Sequence, residues 1–99
     1  MKKPGFVYII ANTHQTVLYT GATTDLPGRI TEHREKTFRK SFSSKYNLHK
    51  LIHYEYFDDF RDAFDREYQI KSWSRGKKVE LVNSINPEWK DLFDEIKEF

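Results

Sequence analysis

The sequence predicts an α+β fold, a small three-stranded antiparallel sheet flanked by helices. Three observations lead there. Two β-prone runs, Phe6-Val7-Tyr8-Ile9-Ile10 and Val17-Leu18-Tyr19-Thr20-Gly21, flank the short polar loop Ala11 to Thr16. A third strand-like run, Lys50 to Phe57, stands alone further on. Apolar residues at helical spacing fill the segments between and after these runs. The order β-β-α-β-α-α-α fits one layer of strands covered by helices.

The first two runs read as a hairpin. If the loop closes symmetrically about Thr13 and His14, Ala11 pairs with Thr16, and Tyr8 falls directly opposite Tyr19. Opposed residues of an antiparallel pair share a face, so two phenols lie side by side. A helix starts near Thr24 or Asp25, both good caps, with Pro27 tolerated in the first turn. Leu26, Arg29, Ile30, His33 and Thr37 then follow one face, and Gly28 weakens the helix by up to about 1 kcal/mol relative to Ala. Lys40 to Lys50 reads as a polar connection. Asp58 or Asp59 caps the next helix, whose apolar stripe is Phe60, Ala63, Phe64 and Ile70. A break at Ser72 to Gly76 precedes a short helix carrying Val79, Leu81 and Val82. Asn86-Pro87 reads as a cap followed by Pro at the first helical position. It opens a last helix with Trp89, Leu92, Phe93 and Ile96 facing inward.

A chain of 99 residues forms one domain, 1–99, with room for one modest core. Aromatic residues are 16% of it, so Phe, Tyr and Trp supply much of that core. The chain has no cysteine, which excludes a disulfide framework and thiolate zinc sites. No apolar run approaches the roughly 18 residues of a membrane span. The apolar stretch after Met1-Lys2-Lys3-Pro4 is too short for a signal peptide. A cytoplasmic protein without membrane contact or a small-molecule cofactor is expected.

Net charge is only +2, but its distribution is uneven. Leu26 to Lys50 holds seven Lys/Arg against two acids, and Arg66 to Glu80 holds five against two. Leu51 to Asp65 and Pro87 to Phe99 are acidic, each with five carboxylates. Such blocks are either solvated helix faces or, once folded together, a phosphate-binding surface. In the second case Arg34, Arg39, Lys40, Lys45, Arg66, Lys71, Arg75 and Lys77 join Arg29 in holding nucleic acid.

Besides the two tyrosines, three side chains could carry chemistry. Glu67 shares a helical face with Ala63, Phe64, Ile70 and Lys71. A carboxylate beside an apolar stripe is either paired, here with Arg66 or Lys71, or a metal ligand. Arg29 lies in the first helical turns, where a planar guanidinium either binds phosphate or pairs with Glu32 or Asp25. His33, one turn on, can take a proton near neutral pH. His49 and His53 have i,i+4 spacing but fall at a strand, where they do not converge on a metal. Gly21 is either a strand end or a point of close approach.

Taken in order, Val7-Tyr8-Ile9, Leu18-Tyr19-Thr20-Gly21, Arg29 and Glu67 resemble the GIY-YIG nuclease superfamily. The likeness is strongest to its small stand-alone bacterial members. It extends to Asp25-Leu26-Pro27-Gly28-Arg29-Ile30-Thr31-Glu32-His33, to Lys45-Tyr46-Asn47-Leu48-His49-Lys50-Leu51 and to Ile85-Asn86-Pro87-Glu88-Trp89. Two motif positions depart from the pattern: glycine is displaced from Tyr8 to Gly5, and Thr20 replaces the middle isoleucine. The resemblance implies an endonuclease that hydrolyses DNA phosphodiester bonds with a divalent metal, Mg²⁺ or Mn²⁺. By the same resemblance Glu67 holds the metal and Arg29 stabilises charge on the scissile phosphate. Tyr8 activates or orients the attacking water, Tyr19 supports the phosphate or nucleophile, and His33 is an auxiliary polar group. So small a chain has little surface for sequence readout, so recognition is expected to be structure-selective or weakly specific. Two other functions fit the same residues. One is a nucleic-acid-binding module of this fold with little or no cleavage. The other is a protein-interaction domain using the acidic C-terminal helix.

Overall fold

The computed structural model describes residues 2–36 and 45–99. Strands β1 (Gly5–Ala11), β2 (Leu18–Thr23) and β3 (Lys50–Phe57) form an antiparallel sheet in the order β2-β1-β3. The helices are α1 (Leu26–Arg34), α2 (Phe60–Lys71), α3 (Arg75–Ile85) and the short α4 (Phe93–Ile96). No helix among the described residues is long and apolar enough to cross a membrane.

The hairpin forms, but its register differs from the symmetric closure. Ala11 pairs with Leu18, Ile10 with Tyr19 and Tyr8 with Gly21. The cause is Asn12. Its side-chain oxygen accepts from the backbone N–H groups of Thr16 at 2.9 Å and Val17 at 3.1 Å. Its amide nitrogen donates to the Thr16 hydroxyl. Those two backbone donors are thereby withdrawn from the ladder, so β2 begins at Leu18. The shift is two residues, and the side-chain period of a strand is two, so Tyr8 and Tyr19 keep a common face. They are diagonal neighbours there, with ring centroids 6.4 Å apart.

The sheet divides two clusters. On one face Tyr8, Ile10 and Leu51 pack with Leu26 and Ile30 of α1, Leu48 and Ile96 of α4. On the other, Val7, Ile9, Ala11 and Ile52 pack with Ile70 of α2, Val82 of α3 and Trp89. A bulge between Ile9 and Ile10 interrupts the β1–β3 register. Helix starts follow their caps. Asp25 accepts from the Gly28 N–H, Asp59 from that of Arg61, and Ser74 from that of Lys77. A Cβ on Gly28 would strike the Asp25 carboxylate, so glycine here lets the cap close onto the helix.

The remaining differences are local. The predicted break at Ser72 to Gly76 is shorter, because α3 begins at Arg75. Phe64 is 55% exposed instead of belonging to the inner stripe of α2. Lys45, placed in a polar connection, has helical backbone. Thr37, Arg39 and Lys40 lie outside the described residues. No helix starts at Asn86-Pro87; Asn86 instead ends α3. Its amide nitrogen donates to the carbonyls of Ile52 at 3.0 Å and Lys90 at 2.9 Å, and its oxygen accepts from the Lys90 N–H. Those bonds hold residues 86–92 against the edge of β3, where the Leu92 N–H donates to the Leu51 carbonyl.

Thr20 faces the second cluster from opposite Ile9, is 4% exposed, and its hydroxyl has no hydrogen-bond partner. A buried hydroxyl without a partner costs stability. Thr20→Val keeps the shape and removes that cost, so it is expected to stabilise the fold by about 1 kcal/mol. The midpoint of urea unfolding, rising at unchanged slope, checks this.

Candidate active site

The site is built outward from Tyr8. The strand pair puts Tyr8 opposite Gly21, and a Cβ at Gly21 would collide with the far end of the tyrosine ring. Gly21 has no positive φ, so glycine serves here for clearance, not for backbone freedom. Lying over that gap, the ring is 1% exposed, and its hydroxyl is 3.0 Å from Nε2 of His33. His33 projects from the last turn of α1, whose buried Leu26 and Ile30 fix it to the sheet. The Tyr8, Tyr19 and His33 rings form a closed triangle, with centroid separations of 6.4, 5.7 and 5.8 Å.

Two charges act on this cluster from different helices. Arg29 lies one turn before His33 on α1. It is about half exposed and pairs with Glu32 at 3.2 Å. Glu67 comes from α2, is 14% exposed at its side chain, and pairs with Lys71 at 3.3 Å. Lys71 Nζ in turn lies 5.7 Å from the centre of the Tyr19 ring. Burial pushes the Tyr8 phenol well above the usual tyrosine range, and the neighbouring Tyr19 adds to this. Arg29 pulls it back down by charge and hydrogen bond, while Glu67 raises it. The His33 imidazole is lowered, first by burial and then by the Arg29 charge, with Glu32 opposing. At neutral pH the pair is therefore a protonated phenol beside an uncharged imidazole.

The other sequence-selected cations are distributed around the fold. Arg34 pairs with Asp91 and lies over the Phe93 ring, joining α1 to the C-terminal segment. Arg66 donates to Glu55 at 2.9 Å and to Gln69. Burial alone raises Glu55, but hydrogen bonds from His53 and Arg66 outweigh it and hold the carboxyl below its ordinary value. Arg75 donates to the carbonyls of Gln15 and Thr16, holding the hairpin loop. Lys77 lies 4.3 Å over the Trp73 ring, and Lys45 lies over Tyr46. His49 binds the Thr13 hydroxyl and the buried His53 binds Glu55, so the two histidines are in separate networks. A cavity of about 470 Å³ opens between β3 and residues 85–95, and none of the tyrosine-cluster residues lines it.

Among the described residues no group of three or more His, Asp or Glu could hold a metal ion. A single carboxylate near phenol oxygens is a hard oxygen set. It suits Mg²⁺ or Mn²⁺, which take one or two carboxylates and fill the other positions with water and phosphate oxygens. Glu67 supplies a carboxylate of the kind such a site needs, and in this structure that carboxylate is paired with Lys71. The direct Tyr8–His33 bond was not visible in the sequence; the signal for it was the i,i+4 spacing of Arg29 and His33 about the buried Ile30.

Comparison with known proteins identifies the family and the fold. The profile of the GIY-YIG catalytic domain matches residues 4–80. A UPF0213 protein of Syntrophus aciditrophicus is 35% identical over 83 residues, which are 84% of this chain and 93% of that one. One from Natronomonas pharaonis is 39% identical over 77 residues, 78% of this chain and 88% of that one. The solution NMR structure of a UPF0213 protein from Bacillus halodurans superposes with a TM-score of 0.56 at 28% identity, covering 89% of this chain and 92% of the other.

Two outcomes test the geometry. Gly21→Ala is expected to lose roughly 1–3 kcal/mol by overpacking against Tyr8, read from urea unfolding. The second concerns pH. The folded His33 value lies below the free histidine value of 6.5, so the unfolded chain binds the extra proton first. Stability therefore falls as pH drops through 6.5 and continues falling to the lowered folded value. His33→Gln is expected to flatten that part of the stability–pH curve relative to the parent.

Proposed function

Since the chain belongs to the GIY-YIG catalytic-domain family, we propose that it is an endonuclease that hydrolyses a DNA phosphodiester bond at the Tyr8–His33 pair. The observation that carries this reading is the 3.0 Å contact between the Tyr8 hydroxyl and His33, with Arg29 and Glu67 both acting on that hydroxyl. The raised phenol keeps its proton at neutral pH, and the lowered imidazole is free to accept one. A proton then moves from the attacking water to the Tyr8 oxygen as the tyrosine's own proton passes to His33 Nε2. The tautomer this requires carries its hydrogen on Nδ1. Such a relay uses the imidazole as base near its working pH and the phenol as the positioned carrier. Arg29 offers a planar donor pair to the phosphoryl oxygens where negative charge grows. Tyr19 packs in the ring triangle and would support the phosphate or the nucleophile.

Glu67 holds the divalent metal, Mg²⁺ or Mn²⁺, which when bound supplies charge neutralisation at the phosphate. Arg29 acts on the Tyr8 hydroxyl, and Lys71 lies 5.7 Å from the centre of the Tyr19 ring. Recognition is structure-selective or weakly specific, since Arg34, Arg66 and Arg75 are occupied with intramolecular partners.

Incubation with branched, nicked, single-stranded and duplex DNA under Mg²⁺ and Mn²⁺ tests the activity directly. Glu67→Gln is expected to abolish cleavage and leave DNA binding in EDTA unchanged or improved, because the carboxylate repels phosphate when no metal is present. Arg29→Ala is expected to slow cleavage roughly 10²- to 10³-fold, the usual cost of one preorganised donor, with some loss of affinity. A well-folded Glu67→Gln protein that cuts like the parent removes the proposed metal site. A parent that binds DNA but cuts no substrate is instead a binding module of the same fold.

A further inference from the structure

Helix α2 carries a second feature beside Glu67. Phe64 and Tyr68 are one helical turn apart and are 55% and 78% exposed. Phe60, a turn earlier, sets its ring 6.4 Å from that of Phe64. Glu67 and Lys71 form the neighbouring row, also one turn apart and joined at 3.3 Å. Phe64 to Glu67 and Tyr68 to Lys71 are both i,i+3, so the four side chains make a diamond on one flank of the helix. Its inner edge is fixed by the Lys71 ammonium, 5.7 Å from the centre of the Tyr19 ring. Its outer edge is two aromatic rings in solvent.

Those rings belong to neither core cluster, and the buried core itself is mostly aliphatic, with Tyr8 and Trp89 its aromatic members, not the largely aromatic core the composition suggested. Exposed rings in a row, bordered by a cation, match what unpaired bases need. Each base offers a ring face, and the phosphate beside it needs a positive charge. The interior of a duplex offers no such face, because each base already stacks on its neighbours. We propose that Phe64 and Tyr68 are a stacking platform for unpaired nucleobases, and that the strand entering the site is single-stranded DNA or an unpaired segment. Lys71 takes the phosphate between the stacked base and the scissile bond. The identity of the polymer rests on the nuclease reading above.

The test is binding of a labelled oligodeoxythymidylate and of a closed-end duplex to the full chain in EDTA, followed by anisotropy. The parent is expected to prefer the single strand. Phe64→Ala and Tyr68→Ala should each lower that affinity roughly 5- to 150-fold, the range for one stacked base, with duplex binding little changed. Tyr68→Trp should retain binding and Tyr68→Leu should lose it, which separates ring stacking from apolar area. Equal losses on both DNAs, or none, overturn the proposal. So does self-association of the parent in sedimentation that the same substitutions abolish, since the platform is then an interface between copies. A parent that cuts duplex DNA in Mg²⁺ while the alanine variants bind single strands normally ends the platform and leaves the nuclease. A parent that holds single strands through the rings and cuts nothing does the reverse.

Discussion

The Asn12 carboxamide decides where the second strand begins, and the rest of the site follows. By holding the N–H groups of Thr16 and Val17 it starts the ladder at Leu18. That register puts Tyr8 against Gly21, the one residue type that leaves room for the ring. The ring lies flat over the gap, and its hydroxyl meets an imidazole brought by α1. Burial at that point then moves the phenol and the imidazole in opposite directions, one toward keeping its proton and the other toward lacking one. A side-chain hydrogen bond in the loop thus sets the strand register within which Tyr8 is buried.

Much of this was legible in the sequence because it rests on local patterns. The bounds of β3 coincide with the Lys50–Phe57 run, and the starts of α1 and α2 coincide with Asp25 and Asp59. The common face of Tyr8 and Tyr19 survived a wrong register because the error was an even number of residues. What was not legible depends on where a polar side chain sends its hydrogen bonds. Asn12 fell without a role of its own in the polar loop Ala11 to Thr16 and Asn86 was read as a helix start, yet each spends its amide on a distant or non-helical backbone group. Phe64 was misassigned for a different reason. A helix of 12 residues over a small sheet buries a narrow stripe, and Ala63 and Ile70 already fill it.

The alternating charge blocks also acquire a physical meaning. The basic segment containing Arg66 meets the acidic strand segment through Glu55, and the basic segment containing Arg34 meets the acidic C-terminal segment through Asp91. Much of the apparent positive surface is therefore complementarity within the chain. Half-buried pairs of this kind link elements far apart in sequence, and losing one partner leaves the other poorly solvated. Among the described residues the cations left near the tyrosine cluster are fewer than the sequence suggests, so under the proposed function a greater share of phosphate recognition would fall on Arg29 and Lys71.

Residues 86–92 lie beyond the stretch that matches the family profile, and they run along the outer side of β3. The N–H and carbonyl of Leu51 and the carbonyl of Ile52, all pointing away from β1, are taken up by Asp91, Leu92 and Asn86. An open strand edge is a template on which further strands can add, in amyloid as in domain swapping. An irregular segment that satisfies those groups without itself being a strand offers no new edge in return. The C-terminal segment is thus a terminator for the sheet, and a chain cut short after α3 would both lose Trp89 and Ile96 from the two clusters and leave a sticky seam exposed.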